Sequence, residues 1–416
     1  MTETYVVIGA SLAGARAVET LRADGFDGRI LLIGAEHRLP YDRPPLSKEV
    51  LTGQKQPDET RIHPAKFYSD NGIELLLGTR ATRIDAHGQR VELAGGQSVA
   101  ADKVLICTGG TPRRPEIDGI DLDGIYFLRT VDDAVSIRER IGNHSSVVIL
   151  GGGLIGMELA ASVRARGAAV TVLERDAGVL RRVLADDIGD RLARMHVGSG
   201  VEIRMNARIA RIEGDGNHVR RIRMADGSVI EADLVLVGIG AAPAVDIAEA
   251  SGIETDNGIV VNEFCATSIP NVYAAGDVTN HPNRTAGGRV RLEHWQNAQN
   301  QGIAAAHSMT GRGSPYRDVP WFWSDQGDTN IQVAGCPHRA DRVVRRGDPD
   351  SLEFSAFHLK DGILVGAVGI NKRRDVRMAM DLIDTQARPD PVMLADPAVD
   401  LRQVSAGSST AGGVRV

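Results

Sequence analysis

Aromatic side chains are scarce in this 416-residue chain: seven Phe, six Tyr and three Trp make up 4% of it. Its cores must therefore be built from Ala, Val, Leu and Ile. Cysteine is rarer still. Cys107, Cys265 and Cys336 lie far apart with no CxxC spacing, so a metal ribbon, a disulfide framework and a redox dithiol all lose support. That usage fits a reducing cytoplasm, and no metal site is expected. No apolar run approaches the roughly 20 residues of a membrane helix. Tyr5-Val6-Val7-Ile8 follows the N-terminus without the basic stretch of a signal peptide. Positive charge is not in excess, because 48 basic and 54 acidic residues leave −6. A bulk electrostatic grip on nucleic acid is therefore not expected. The remainder, 42% hydrophobic and 25% charged, is ordinary globular composition, and the length allows roughly two to four domains.

Glycine, by contrast, is abundant at 47 residues, and its placement reveals an internal near-repeat. Residues 4–17 read TYVVIGASLAGARA and residues 146–160 read SVVILGGGLIGMELA. Each is an apolar strand, a glycine-rich turn and a helical pattern, with Gly9, Ser11 and Gly14 matching Gly151, Gly153 and Gly156. The closing segments also correspond. Ala101-Asp102-Lys103-Val104-Leu105 leads to Gly109 and Pro112, and Ala232-Asp233-Leu234-Val235-Leu236 leads to Gly240 and Pro243. In a G-x-G-x-x-G turn the first glycine makes the bend, the second lets backbone approach a pyrophosphate, and the third permits close helix–strand packing. The helix N-terminus then offers unpaired N–H groups to the phosphates. Each unit also carries an acid at or just after its next strand, Glu36 in the first and Glu174 in the second, suited to accept hydrogen bonds from ribose hydroxyls. Two dinucleotides are expected. Ser11 departs from the pattern but is small. Glu174 would repel a 2′-phosphate and so favour NADH, while the adjacent Arg175 reads as a solvated loop charge.

Farther on, the strand Asn271–Ala275 ends at Gly276-Asp277, where the carboxylate can meet a polyol; its plain alternative is a helix N-cap. Glu293-His294-Trp295 opens a helix reaching roughly to Met309, whose positive end would stabilise negative charge on a reduced flavin. All three tryptophans fall between Trp295 and Trp323, which suggests either a local task or a plug at a domain interface. Beyond about Pro320, two strand-like runs flank Asp361-Gly362, a hairpin signal. Val376, Ala379, Met380 and Ile383 then follow helical spacing, giving a small α+β domain. The end, 405–416, reads as a flexible tail.

Taken together, these motifs resemble the FAD-dependent NADH:ferredoxin reductases of bacterial oxygenase systems, within the glutathione-reductase-like flavoproteins. The match runs through Gly9–Gly14, Tyr41-Asp42-Arg43-Pro44-Pro45-Leu46-Ser47-Lys48, Thr108-Gly109, Leu128-Arg129-Thr130, Gly151–Glu158, Ala275-Gly276-Asp277, Glu293-His294-Trp295 and Phe322-Trp323-Ser324-Asp325-Gln326. The resemblance implies an α/β fold with two Rossmann-like domains and a small α+β domain. Residues 1–112 and 241–318 would form a split FAD-binding domain, 113–240 the NAD-binding domain, and 319–404 the C-terminal domain. It implies FAD contacts from Gly9, Ser11, Ala13, Gly14, Glu36, Arg43, Thr108, Gly109, Arg129, Gly276, Asp277 and the Glu293-His294-Trp295 helix start. Gly151, Gly153, Ile155, Gly156 and Glu174 would hold NADH. Lys48 would lie near flavin N5, paired with Glu158, and Trp295 and Trp323 would lie near the isoalloxazine ring. The plain alternative for Lys48 is a solvent lysine at a helix start.

Disulfide reductases of this superfamily place a cysteine pair where this chain has Pro44-Pro45-Leu46-Ser47-Lys48, and Cys107 lies far downstream in an apolar strand. Electrons should therefore leave the flavin for an outside acceptor. The family acceptor is an acidic [2Fe–2S] ferredoxin serving a cytochrome P450 or Rieske-type oxygenase, met transiently by a monomer. Docking candidates are Arg339, Arg342, Arg345 and Arg346, and Lys372, Arg373, Arg374 and Arg377. A solvated surface is their plain alternative. A rubredoxin reductase would share nearly every motif, and an NADH-sensing protein of the apoptosis-inducing-factor type shares the fold.

Overall fold

A computed structural model describes residues 3–142 and 145–404; the expected flexible tail at 405–416 lies outside the described residues. These fall into two compact units. One comprises 3–283 with Gly288–Arg317, and the other 318–404 with Arg284–Gly287. No helix among the described residues is long and apolar enough to cross a membrane.

The first unit contains two parallel sheets. In the first sheet, β1 (Thr4–Ile8), β2 (Arg29–Gly34), β3 (Ile73–Leu77) and β4 (Lys103–Ile106) lie in the order β4-β1-β2-β3. Helix α1 (Leu12–Ala23) follows β1. Both faces of this sheet are buried, as parallel strands require. Val6, Ile8, Val104 and Ile106 pack to one side; Tyr5, Val7, Ile30, Leu32 and Leu105 pack to the other against Ala17, Val18 and Leu21 of α1. The second sheet repeats the plan with β5 (Ile125–Phe127), β6 (Ser146–Leu150), β7 (Ala169–Leu173), β8 (Val201–Arg204) and β9 (Leu234–Val237), ordered β8-β7-β6-β9-β5. Helix α2 (Leu154–Ala165) follows β6. The chain then returns to the first sheet, where β10 (Val272–Ala274) pairs in parallel with β4. Helix α3 (Trp295–Met309) lies against α1 so closely that a Cβ at Gly302 would collide with the Ala13 carbonyl.

In both sheets the strand after the glycine turn and the strand closing the unit run on opposite sides of the central strand. Such a switch point leaves a crevice at the carboxyl ends of the strands, where ligands of open α/β sheets bind.

The second unit is the expected α+β body. An antiparallel sheet runs β11-β12-β15-β14-β13, from β11 (Trp321–Gln326), β12 (Thr329–Gly335), β13 (Arg342–Asp348), β14 (Glu353–Lys360) and β15 (Ile363–Ile370). The hairpin at Asp361-Gly362 joins β14 to β15. Helix α4 (Arg373–Asp384) buries Val376, Ala379 and Ile383, while Met380 is only partly covered.

One docking candidate is spoken for by this body. Arg346 on β13 pairs with Asp375 at 3.4 Å, and its side chain is 10% exposed. Its guanidinium also donates to the carbonyls of Asp396, Pro397 and Val399 at 2.6, 3.3 and 2.8 Å. It is therefore a structural clamp over the sheet edge rather than a free surface cation, because a planar fork of donors suits convergent carbonyls. Arg346→Leu should lower the stability of the second unit by roughly 2–4 kcal/mol, since those acceptors are left unpaired. Thermal unfolding checks this, and an unchanged melting temperature would contradict the clamp.

Candidate active site

Three strands of the first sheet end at the same crevice. After β1, Gly9 has φ +118°, and a Cβ there would collide with the Cys107 carbonyl; a Cβ at Gly14 would collide with Gly9. Ser11 sits at the N-cap of α1 without a side-chain capping bond, and no acid occupies the first turn. The first-turn N–H groups thus have no acceptors within the helix. Ala13 is buried, and its methyl faces Gly276 and α3. Its contribution is therefore packing and a backbone amide. After β4, Thr108 Oγ1 donates to the Ala244 carbonyl at 2.8 Å, and Gly109 takes φ +67° beside the Arg129 guanidinium. After β10 come Gly276 and Asp277. Asp277 caps no helix, because the next element is the strand Thr279–Asn283.

Four charged residues gather here. Arg43 donates to Glu36 at 2.9 Å and to the Arg129 carbonyl. Arg129 lies 3.8 Å from Asp277. Burial holds the Asp277 carboxyl above the usual range, an effect opposed by Arg129. Burial and the neighbouring Arg43 pull Arg129 below its ordinary value. Two adjacent, poorly hydrated guanidiniums beside a turn of free amides fit a diphosphate, and Arg43 Nε is buried without a protein partner. The FAD expected from the sequence fits this cradle.

Several residues with no role assigned from the sequence organise the crevice. Tyr41 is buried; its hydroxyl donates to Glu36 at 2.6 Å and accepts from the Val131 amide at 3.1 Å. Burial and Glu36 raise this phenol well above its usual value. Two acceptor positions of Glu36 are filled by Tyr41 and Arg43, and the others are left for the ribose expected there. Asp42 Oδ1 accepts from Trp295 Nε1 at 2.8 Å, fixing the indole at the start of α3. Gln301 is fully buried, and its Oε1 accepts from the Gly276 amide and from Thr279, both at 2.8 Å. Of the residues expected at the start of α3 to contact FAD, Glu293 accepts from Arg291 at 2.6 Å. His294 caps α3 and titrates near 4, lowered by burial and then by His281.

The second turn repeats this crowding at its first and third glycines. Gly151 has φ +104°, and Cβ atoms at Gly151 and Gly156 would meet the Gly238 and Gly151 carbonyls. Gly153 is open and forms the N-cap of α2, with Ile155 beside it 46% exposed. Glu174 accepts from the Gly152 and Asp176 amides at 2.6 and 2.7 Å, which sets its carboxylate over the turn. Arg175 is 69% exposed and lies 3.7 Å from Asp176. A ribose and diphosphate fit here as well.

Between the two halves, Lys48 Nζ lies 3.2 Å from Glu158, with side chains 15% and 5% exposed. Lys48 is not a solvent lysine. Cys107, Cys265 and Cys336 are all free and buried, and burial raises the Cys107 and Cys265 thiols, the latter to about 12.

Trp323 lies in the second unit on the edge strand β11. It stacks on Trp321 with centroids 5.3 Å apart, and its Nε1 donates to Asp325 at 3.1 Å. There, Arg339 donates to the Thr285 carbonyl, and Arg342 and Arg345 are exposed on β13. Lys372, Arg373 and Arg374 reach Glu353, Asp325 and Asp400 at 3.1–3.8 Å, and Arg377 is exposed.

A family model described as pyridine nucleotide-disulphide oxidoreductase matches residues 3–302. The chain belongs to that family. A second model, reductase C-terminal, matches residues 321–405. The chain is 37% identical to rhodocoxin reductase of Rhodococcus erythropolis over 399 residues, 96% of this chain and 93% of that one. It is 39% identical to the ferredoxin–NAD(+) reductase component of the anthranilate 1,2-dioxygenase system of Burkholderia cepacia over 406 residues, 96% and 98% of the two chains. Among solved structures it resembles the ferredoxin reductase for the CYP199A2 system from Rhodopseudomonas palustris, with TM-score 0.93 and 35% identity over 97% of this chain and 100% of that one. It also resembles putidaredoxin reductase in its covalent complex with putidaredoxin, with TM-score 0.94 and 31% identity over 97% and 98%. The likeness read from the motifs to ferredoxin reductases is borne out. In this family member no cysteine pair occupies the position that disulfide chemistry would need.

Glu174→Ser removes the charge expected from the sequence to repel a 2′-phosphate, so the NADH-over-NADPH preference in kcat/KM should fall at least about tenfold; an unchanged ratio would locate selectivity elsewhere. His281, 1% exposed with neither ring nitrogen hydrogen-bonded, titrates near 4 because of burial and Arg289. Unfolded, it titrates near 6.5, so its neutral form contributes fully above that pH. The contribution is lost as pH falls toward 4, on the order of 3 kcal/mol. His281→Phe, which keeps the ring against Tyr316, should flatten the fall of melting temperature between pH 6.5 and 4.

Proposed function

We propose that this chain passes electrons from NADH through FAD to a [2Fe–2S] ferredoxin that serves an oxygenase of the cytochrome P450 or Rieske type. The observation that carries this reading is the pair of glycine turns at the carboxyl ends of two parallel sheets, with the buried Lys48–Glu158 pair between them and no redox cysteine nearby. In this reading 1–112 with 241–318 form the FAD domain, 113–240 the NAD domain and 319–404 the C-terminal domain. It works in the cytoplasm as a monomer.

When bound, FAD would supply the redox chemistry, linking the two-electron oxidation of NADH to NAD+ with single-electron delivery to the carrier. The protein's own residues do the rest. The amides at Ser11–Gly14 and the guanidiniums of Arg43 and Arg129 hold the diphosphate. Glu36 holds the adenosine ribose, and Asp277 the ribityl chain. Gly151, Gly153 and Gly156 admit the NADH diphosphate, Glu174 its ribose, and Ile155 offers apolar cover. Lys48 brings a positive charge to the reacting edge, and the positive end of α3 at Trp295 adds to it. Trp295 excludes water beside the ring.

The ferredoxin would be met by α4. Arg373 and Arg374 stand in its first turn after Lys372 at the N-cap, where cations oppose the helix dipole by some tenths of a kcal/mol each. The first-turn acid, Asp375, is engaged by Ser355 and Arg346. Charge kept against the dipole at exposed positions suits an acidic, transient partner.

NADH-driven cytochrome c reduction by FAD-loaded protein, with a panel of [2Fe–2S] ferredoxins and rubredoxins, tests the reading. Stimulation by an acidic ferredoxin should fade as salt rises. Stimulation by rubredoxin alone would make the chain a rubredoxin reductase, and none by any carrier would contradict electron delivery. Arg373→Glu with Arg377→Glu should raise KM for the effective ferredoxin about tenfold.

A further inference from the structure

Ser47 is 2% exposed, at the end of the short turn Pro44–Ser47. Its hydroxyl donates to Glu158 Oε2 at 2.5 Å, the same oxygen that Lys48 Nζ reaches at 3.2 Å. Its carbonyl accepts from Ser162 Oγ at 2.6 Å. Glu158 and Ser162 stand four residues apart on α2, hence on one face, and that face grips both polar ends of Ser47. Lys48 is a point charge on a flexible four-carbon stem, and it follows a carboxylate whose terminal torsion is intrinsically broad. A short, charge-assisted bond from a buried hydroxyl removes that freedom.

We propose that Ser47 is a positioning residue for hydride transfer: by pinning the Glu158 carboxylate, it holds the Lys48 ammonium at one place beside the reacting edge. The proposal rests on the reading of Lys48 and Glu158 as the pair beside the flavin. Ser47 itself exchanges no proton or electron. Its effect is on geometry, and the positive charge it steadies acts on the FAD potential as well as on the rate.

The test uses FAD-loaded protein and four variants: Ser47→Ala, Ser47→Thr, Glu158→Gln and the double variant Ser47→Ala with Glu158→Gln. Anaerobic rapid mixing with NADH gives the limiting rate of flavin bleaching and the NADH dissociation constant, and spectroelectrochemistry gives the flavin midpoint potential. Ser47→Ala should slow bleaching roughly tenfold and shift the potential, with NADH affinity within about twofold of the wild type. Ser47→Thr should restore both, and Ser47→Ala should add nothing in the Glu158→Gln background. Where Ser47→Ala fails to retain FAD, Ser47→Cys, a near-isostere with a weaker donor, should give an intermediate rate; a wild-type rate would overturn the proposal. Wild-type rate and potential in Ser47→Ala, or a loss that multiplies with that of Glu158→Gln, would overturn it too. If Glu158→Gln moves neither rate nor potential, the reading of the pair itself fails. An effect of Glu158→Gln beside a silent Ser47→Ala would sink only the role of Ser47.

Discussion

A carboxylate with a side chain only 5% exposed can keep its charge only if a cation and a donor meet it there. Glu158 projects from the helix behind the second glycine turn, and its partners come from the segment that follows the first acid, Glu36. The charge pair therefore spans the two nucleotide-binding halves of the first unit. Just past the end of α2, Arg166 donates to the Arg138 carbonyl at 3.1 Å. One helix face thus aligns a nucleotide turn with the segment that supplies Lys48. Hydride transfer depends on such alignment, because a misplacement of an ångström costs more than any single contact contributes.

The glycine turns were legible because their requirement is local. A backbone at φ +118° or +104°, with no room for a Cβ, can be met by one residue type in a short window. The second acid was legible for the same reason, being a fixed distance along the chain from the turn. The hairpin at Asp361-Gly362 and the buried face of α4 followed from turn chemistry and helical period.

What escaped the sequence is held together across long separations. Nothing local to Gln301 says that its amide will meet Gly276, nor that Asp42 will receive the Trp295 indole 253 residues away. Arg346 was read as a surface charge because a run of arginines looks solvated until the carbonyls of residues 396–399 fold beneath one of them. Asp277 and Tyr41 differ in the same way. The first was marked by the Gly-Asp pair before it was placed, whereas the second had only its neighbours in the motif to suggest a task.

The return of β10 to the first sheet has a consequence for how the chain is made. Its pairing with β4 joins segments about 165 residues apart, and everything in the second sheet lies between them. As the polypeptide emerges from N- to C-terminus, β4 has an open edge until the whole intervening body has been synthesised. The inserted sheet has all its strands by residue 237, so it can close first and bring the ends of its own segment together, shortening the loop that β10 must otherwise close. The Thr108–Ala244 hydrogen bond at the neck of that insertion then acts as a fastening between an early piece of chain and a late one. In the proposed reading, the cradle for the first dinucleotide is complete only when Gly276 and Asp277 arrive, so its ligand would select chains whose synthesis and folding have both passed that point.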